Sequence, residues 1–82
     1  MARKHQRIRA AIFANPVSAN IKWRDIEALL KHPGCDVEQR AGSRVAVVVK
    51  GEVNIFHRPH PLPNTDKGAV MSVRALIERH QL

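Results

Sequence analysis

The sequence predicts an α+β domain in which a three-stranded antiparallel sheet carries helices on one face. Three observations point there. Val45, Val47, Val48 and Val49 form a crowded β-branched run, the composition of a central strand with both faces partly covered. Lys50-Gly51 follows as a two-residue turn, and residues 53–57 return as the partner strand. Apolar stripes at helical spacing flank this hairpin: Trp23, Ile26, Leu29 and Leu30 before it, and Ala69, Val70, Val73, Leu76 and Ile77 after it. A short antiparallel sheet between such helices buries its apolar face by packing them together on one side.

Each element has a local reason. Residues 4–14 place Ile8, Ala11 and Ile12 among Arg3, Lys4, Arg7 and Arg9, a short basic helix. It ends at Asn15-Pro16, because a proline pushes the residue before it out of the helical region. Ser18-Ala19-Asn20 is a polar stretch suited to capping the second helix, with Asp25 near its start and Lys31 and His32 near its end in accord with the helix dipole. Pro33-Gly34 stops it. Trp23 belongs to the apolar stripe and reads as core, although a lone Trp can also act as a base-stacking platform.

Residues 35–40 alternate weakly and suggest a first strand, followed by a break at Ala41-Gly42. With Lys50 and Gly51 at the centre of the hairpin turn, Val49 faces Glu52 and Arg44 faces His57; a loop one residue different would pair Val45 with His57 instead. Pro59, Pro61 and Pro63 lack backbone donors, so the chain leaves the sheet there as an exposed, stiff loop. The last helix is expected to start near Thr65 as its N-cap, with Asp66 in its first turn. The order is helix, helix, three strands, helix.

Eighty-two residues make one domain, small enough to bury only about 60 to 70% of the surface its unfolded chain exposes. Residues 1–16 read as a helical extension and residues 18–80 as the core unit. The formal net charge of +7 points to a polyanionic partner, nucleic acid or an acidic protein; the alternative is that the excess Lys and Arg only keep the domain soluble. Cys35 is the single cysteine, which excludes an intrachain disulfide and a Cys-rich zinc site and suits a reducing compartment. The basic start lacks the apolar run of a signal peptide, and no stretch of roughly 18 apolar residues occurs. A cytoplasmic protein without a membrane partner is expected.

His57-Arg58-Pro59-His60 is the segment richest in chemistry. Histidine takes and returns a proton near neutral pH. Metal-free RNA cleavage needs a base for the 2′-hydroxyl, an acid for the leaving 5′-oxygen and a cation for the charged phosphorane. In a polyproline-like stretch, positions three apart share a side about 9 Å along the axis, so both imidazoles could face one groove. Arg44 cannot act as a base, but its planar fork suits phosphate. Lys67-Gly68 opens the last helix, where backbone donors favour an anion, or where Gly68 simply allows close packing. For a metal site at His57 and His60 no third ligand, Asp66 included, has a convincing position, and a Cys35–His32 nucleophilic pair lacks an orienting group and an oxyanion hole. No metal and no cofactor are expected.

Taken in order, Gly42-Ser43-Arg44-Val45, the Lys50-Gly51 turn, Phe56-His57-Arg58-Pro59-His60-Pro61 and Asp66-Lys67-Gly68-Ala69-Val70, with Asn20-Ile21-Lys22-Trp23-Arg24-Asp25-Ile26 ahead of them, resemble the HicA family of bacterial toxins. The resemblance covers about residues 20 to 80. It implies a double-stranded-RNA-binding-like fold and the toxin of a type II toxin-antitoxin system. Such a toxin is an endoribonuclease, or mRNA interferase, that inhibits translation and growth and is neutralised by a HicB antitoxin. The family's signature is Gly-Ser-His with that His catalytic, and Arg44 stands in its place. The expected arrangement therefore relocates the base to His57 across the hairpin, with His60 as the second catalytic histidine and Arg44 and Arg58 holding the phosphate. Lys67, Lys22 and Arg24 complete the RNA-binding set. A catalytically silent RNA-binding module of the same fold, or a subunit that only binds a protein partner, is the alternative. Two histidines within four residues of a proline loop favour cleavage, and Phe56 is the only strand aromatic available for base stacking.

Overall fold

The hairpin turn sets the geometry of the sheet. Lys50 and Gly51 both have positive φ, 51° and 86°, the backbone that a two-residue turn needs if its twist is to match the strands it joins. Glycine reaches that region without steric cost. The structure is a computed structural model describing residues 3–31, 34–59 and 63–82. Its elements are α1 (Arg3–Ile12), α2 (Trp23–Lys31), β1 (Asp36–Gln39), β2 (Arg44–Val49), β3 (Glu52–His57) and α3 (Lys67–His80). The three strands form one antiparallel sheet in the order β1-β2-β3, with the helices on one face, so the α+β expectation holds. The register pairs Val49 with Glu52 and, at the other end, Arg44 with His57.

Because side chains alternate along a strand, this register sorts the sheet into two unlike faces. Val45, Val47, Val49 and Phe56 point to the helices and are buried with Trp23, Ile26, Leu29 and Leu30 of α2 and Val70, Val73, Leu76 and Ile77 of α3. The Trp23 and Phe56 rings meet with centroids 5.4 Å apart at 41°, a tilted contact favoured by their quadrupoles. Trp23 is 3% exposed and is therefore core, not a free stacking platform. The opposite face carries Val53 and Ile55, about half exposed, beside half-buried Val48.

Two helix starts differ from expectation for a single reason. Residues 21–23 and 63–65 run side by side: the Trp23 N–H donates to the Pro63 carbonyl at 3.0 Å, the Thr65 N–H donates to the Ile21 carbonyl at 2.7 Å, and Lys22 bridges Asn64. This two-strand tie gives α2's first N–H a backbone acceptor, and Lys22 takes the cap position, its carbonyl accepting from Asp25 and Ile26. Ser18 only closes a local turn, its Oγ accepting from the Asn20 N–H at 3.1 Å. Thr65 is held in the tie, 1% exposed, with its Oγ1 unpartnered among the described residues. The N-cap of α3 falls instead to Asp66, extended at φ −68° and ψ 158°, whose Oδ2 accepts from the Ala69 N–H at 3.1 Å. At the end of α2, Gly34 has φ 93° and the Cys35 N–H donates to the Leu30 carbonyl; His32 and Pro33 lie outside the described residues.

The basic first helix is anchored to the core. Ile12 is fully buried, and Ile8, Ala11 and Phe13 pack against the core. The Arg74 guanidinium donates to the Ile12 carbonyl at 3.0 and 2.8 Å and to the Ala14 carbonyl at 2.9 Å, satisfying acceptors that the end of α1 leaves open. Its charge and that of Arg9 lie over the Phe13 ring. The Asn15–Pro16 peptide that follows is cis.

The far end of α3 is tied to the hairpin by Glu52, whose carboxylate accepts from Arg79 at 2.5 Å and meets His80 Nε2 at 3.0 Å. The Arg79 guanidinium, then His80 and Asn54, hold this carboxyl at a pKa of about 2. A folded-state pKa below the unfolded one stabilises at higher pH and loses that contribution as pH falls. The melting temperature of the wild type should therefore exceed that of Glu52→Gln above about pH 4.5, and the two should converge toward about pH 2. Thermal melts followed by circular dichroism across that range check it; a gap that persists at the acid end would mean the tie is not ionic.

Candidate nucleic-acid interface

At the open end of the hairpin the sheet brings Arg44 and His57 opposite each other. The Arg58 N–H donates to the Ser43 carbonyl at 2.6 Å, so the next rung out is of the hydrogen-bonded kind and Arg44–His57 is of the close, non-hydrogen-bonded kind, with Cα atoms about 4.5 Å apart. Both side chains are exposed on the face away from the helices. The Arg44 Nε donates to the Ala41 carbonyl at 3.2 Å, and the rest of its fork has no partner among the described residues. The connection from β1 is held by the Arg40 N–H donating to the Arg44 carbonyl at 2.9 Å and turns at Gly42, φ 71°.

Alternation then separates residues that the sequence groups together. Arg58 follows His57 and lies on the other side of the strand end, where with Arg24, Trp23, Glu27, Gln39, Pro59 and Pro63 it lines a cavity of about 240 Å³. Arg44 and Arg58 therefore do not form one fork around a phosphate: Arg44 sits with His57, and Arg58 sits with Arg24. His57 closes β3, while His60, and with it the expected spacing of the two histidines, lies outside the described residues. Gln39 and Glu27, which the sequence does not single out, join the cavity because β1 registers Gln39 against Val45 and α2 presents Glu27 one turn after Trp23.

Lys22 and Lys67 are exposed at the same end of the molecule, Lys22 in the tie to Asn64 and Lys67 at the first position of α3. The anion seat expected at that helix start is taken by the chain's own carboxylate. Asp66 Oδ2 receives the Ala69 N–H, and a Cβ added at Gly68 would meet it at 3.1 Å. Gly68 thus leaves room for the cap.

The acidic residues with ion-pair partners are engaged elsewhere: Asp25 with Lys4 at 3.2 Å, Glu38 with Arg40 at 2.9 Å, and Glu52 with Arg79 and His80. Arg44, Arg58, Arg24, Lys22 and Lys67 have no acidic partner among the described residues, which leaves their charge available to a polyanion. Cys35 is buried, and desolvation, then the neighbouring Asp36 charge, pushes its thiol up, the opposite of what a nucleophilic cysteine needs. Among the described residues no group of three or more His, Cys, Asp or Glu is placed to hold a metal ion, and no helix is long and apolar enough to cross a membrane.

No curated protein and no solved structure matches the chain significantly. The family model described as the HicA toxin of bacterial toxin-antitoxin systems matches residues 23–80, a span that takes in α2, the entire sheet, the Arg44–His57 pair and α3. With more than half of its length so matched, the chain belongs to the HicA toxin family of bacterial toxin-antitoxin systems.

Proposed function

We propose that this toxin is a metal-independent endoribonuclease, an mRNA interferase that acts in the cytoplasm, blocks translation and growth by cleaving RNA, and is neutralised by a HicB-like antitoxin. The observation that carries the reading is the facing pair Arg44–His57. The family's signature histidine position is occupied by arginine, and an imidazole stands directly across the hairpin from it. His57 removes the 2′-hydroxyl proton, the freed oxygen attacks the adjacent phosphorus, and the 5′-oxygen leaves as a hydroxyl protonated by His60, producing a 2′,3′-cyclic phosphate. Arg44 neutralises the phosphorane beside His57. Arg58 and Arg24 hold the neighbouring part of the RNA, and Lys22 and Lys67 extend the cationic track. No cofactor is required.

The apolar strip Val48, Val53 and Ile55 shares its face with Arg44 and His57. An antitoxin seated on that strip would cover the pair and block RNA, which supports the neutralised-toxin reading. The silent RNA-binding module is favoured by one fact, the arginine at the signature position.

Labelled RNA incubated with the purified chain in chelating buffer tests the reading. Wild type should cleave with or without chelator, and His57→Ala should cleave about 100-fold or more slowly while keeping a native circular dichroism spectrum. Wild-type RNA binding without cleavage would establish the silent module. Arg44→Ala should weaken RNA binding about tenfold or more, the loss of a charge-assisted hydrogen bond, yet shift unfolding by less than about 0.5 kcal/mol because the side chain is exposed. Urea melts beside binding titrations separate the two effects.

A further inference from the structure

We propose that the cavity beside the start of α2 is a base-reading subsite that takes one unpaired guanine of the RNA, next to the phosphate held at Arg44–His57. The proposal rests on the endoribonuclease reading and adds the determinant of its sequence preference. Arg58 is one residue along the strand from His57, about 3.4 Å, and Gln39 is in register with Val45, the residue after Arg44. A single strand engaged at the catalytic pair reaches the cavity by passing round the same strand end.

The walls are preformed. Pro63's carbonyl is spent on the Trp23 N–H at 3.0 Å, and the Arg58 N–H on the Ser43 carbonyl at 2.6 Å. Pro59 and Pro63 have no N–H of their own, so these backbone segments present apolar surface. Behind them the Trp23 ring is clamped between Phe56 and the Glu27 carboxylate, which accepts from its Nε1 at 2.5 Å. Walls that need no ordering on binding cost little affinity. The volume, about 240 Å³, lies below the roughly 300 to 1,000 Å³ of sites for drug-sized ligands and suits one ring system.

Its unspent polar groups define the ligand. Glu27 Oε1 has no partner among the described residues, since Oε2 takes the indole N–H. The Gln39 amide is likewise free among them, and so are the Arg24 and Arg58 guanidinium groups. A carboxylate acceptor and an amide donor converging from two elements are the means by which proteins read the edge of an unstacked base. Guanine answers both: its N1–H and N2 amino group donate to Glu27, and its O6 accepts from Gln39. Uracil would bring two carbonyl oxygens toward the carboxylate with a single donor between them. Arg24 and Arg58 supply charge to the flanking phosphates or a planar surface to the base.

The test uses fluorescein-labelled oligouridine heptamers whose central nucleotide is guanosine, adenosine, cytidine or uridine, 2′-O-methylated at every nucleotide to prevent cleavage, with the full chain followed by anisotropy. The guanosine heptamer should bind about tenfold or more tightly than the uridine one, the discrimination of one good base contact. In Gln39→Ala and in Glu27→Gln, which keeps an acceptor for Trp23, that ratio should fall below about threefold, with uridine affinity and melting temperature unchanged. Equal affinity for all four heptamers, or a guanosine preference that survives both substitutions, overturns the base-reading proposal. If RNA is still cleaved in either of those cases, the endoribonuclease reading stands without it; if no heptamer binds and no RNA is cleaved, both fall.

Discussion

A two-residue turn with both residues at positive φ admits one strand pairing, and the consequences reach both the core and the candidate site at the open end of the hairpin. Lys50 and Gly51 place Val49 opposite Glu52. Parity then puts Val45, Val47, Val49 and Phe56 on the helical side and Arg44, Val48, Val53, Ile55 and His57 on the open side. A slip of one residue would exchange the faces, expelling three buried valines to water at about 1.5 kcal/mol or more each. Burial of the core face therefore enforces the same register that sets Arg44 against His57, six residues from the turn.

The second constraint is the tie between residues 21–23 and 63–65. It replaces side-chain caps at the start of α2 and moves the α3 cap from Thr65 to Asp66. It also seats Pro63 against the start of α2, since Pro63's only backbone hydrogen-bonding group is spent on Trp23. The cavity lined by Arg24, Glu27, Gln39 and Arg58 also takes in Pro63, so seated, and Arg58 is itself held by its rung to Ser43. The same backbone bonds that satisfy a helix end thus fix residues that line the cavity.

Charge is distributed by the same economy of partners. Carboxylates at the α1–α2 contact, along β1 and at the far end of α3 pair with Lys4, Arg40, Arg79 and His80, and Arg74 is consumed by carbonyls at the end of α1. Among the cations without an acidic partner in the described residues, Lys22, Arg24, Arg44, Arg58 and Lys67 lie toward the end where the hairpin opens. A family whose members work against an antitoxin fits a molecule with this unpaired cationic end beside an exposed apolar strip, because a protein partner can bury the strip while covering the charge.

Period-two and period-3.6 patterns, a glycine turn and the ordered family motifs are local properties of the chain, so the element order, the hairpin register and membership of the HicA family were legible in the sequence by itself. What it could not show depends on groups far apart in the chain. The caps of α2 and α3 differ from those the sequence predicts because their competitor is a backbone tie between segments some 40 residues apart, invisible to capping rules that look a few residues ahead. Arg58 read as Arg44's companion until alternation at the strand end carried it to Arg24 and the cavity. Gln39 and Glu27 carry no motif and come to line one cavity only through the β1 register and the packing of α2. Tertiary structure alone decided which charges stay unpaired and which polar groups converge, because convergence is a property of packing and not of sequence spacing.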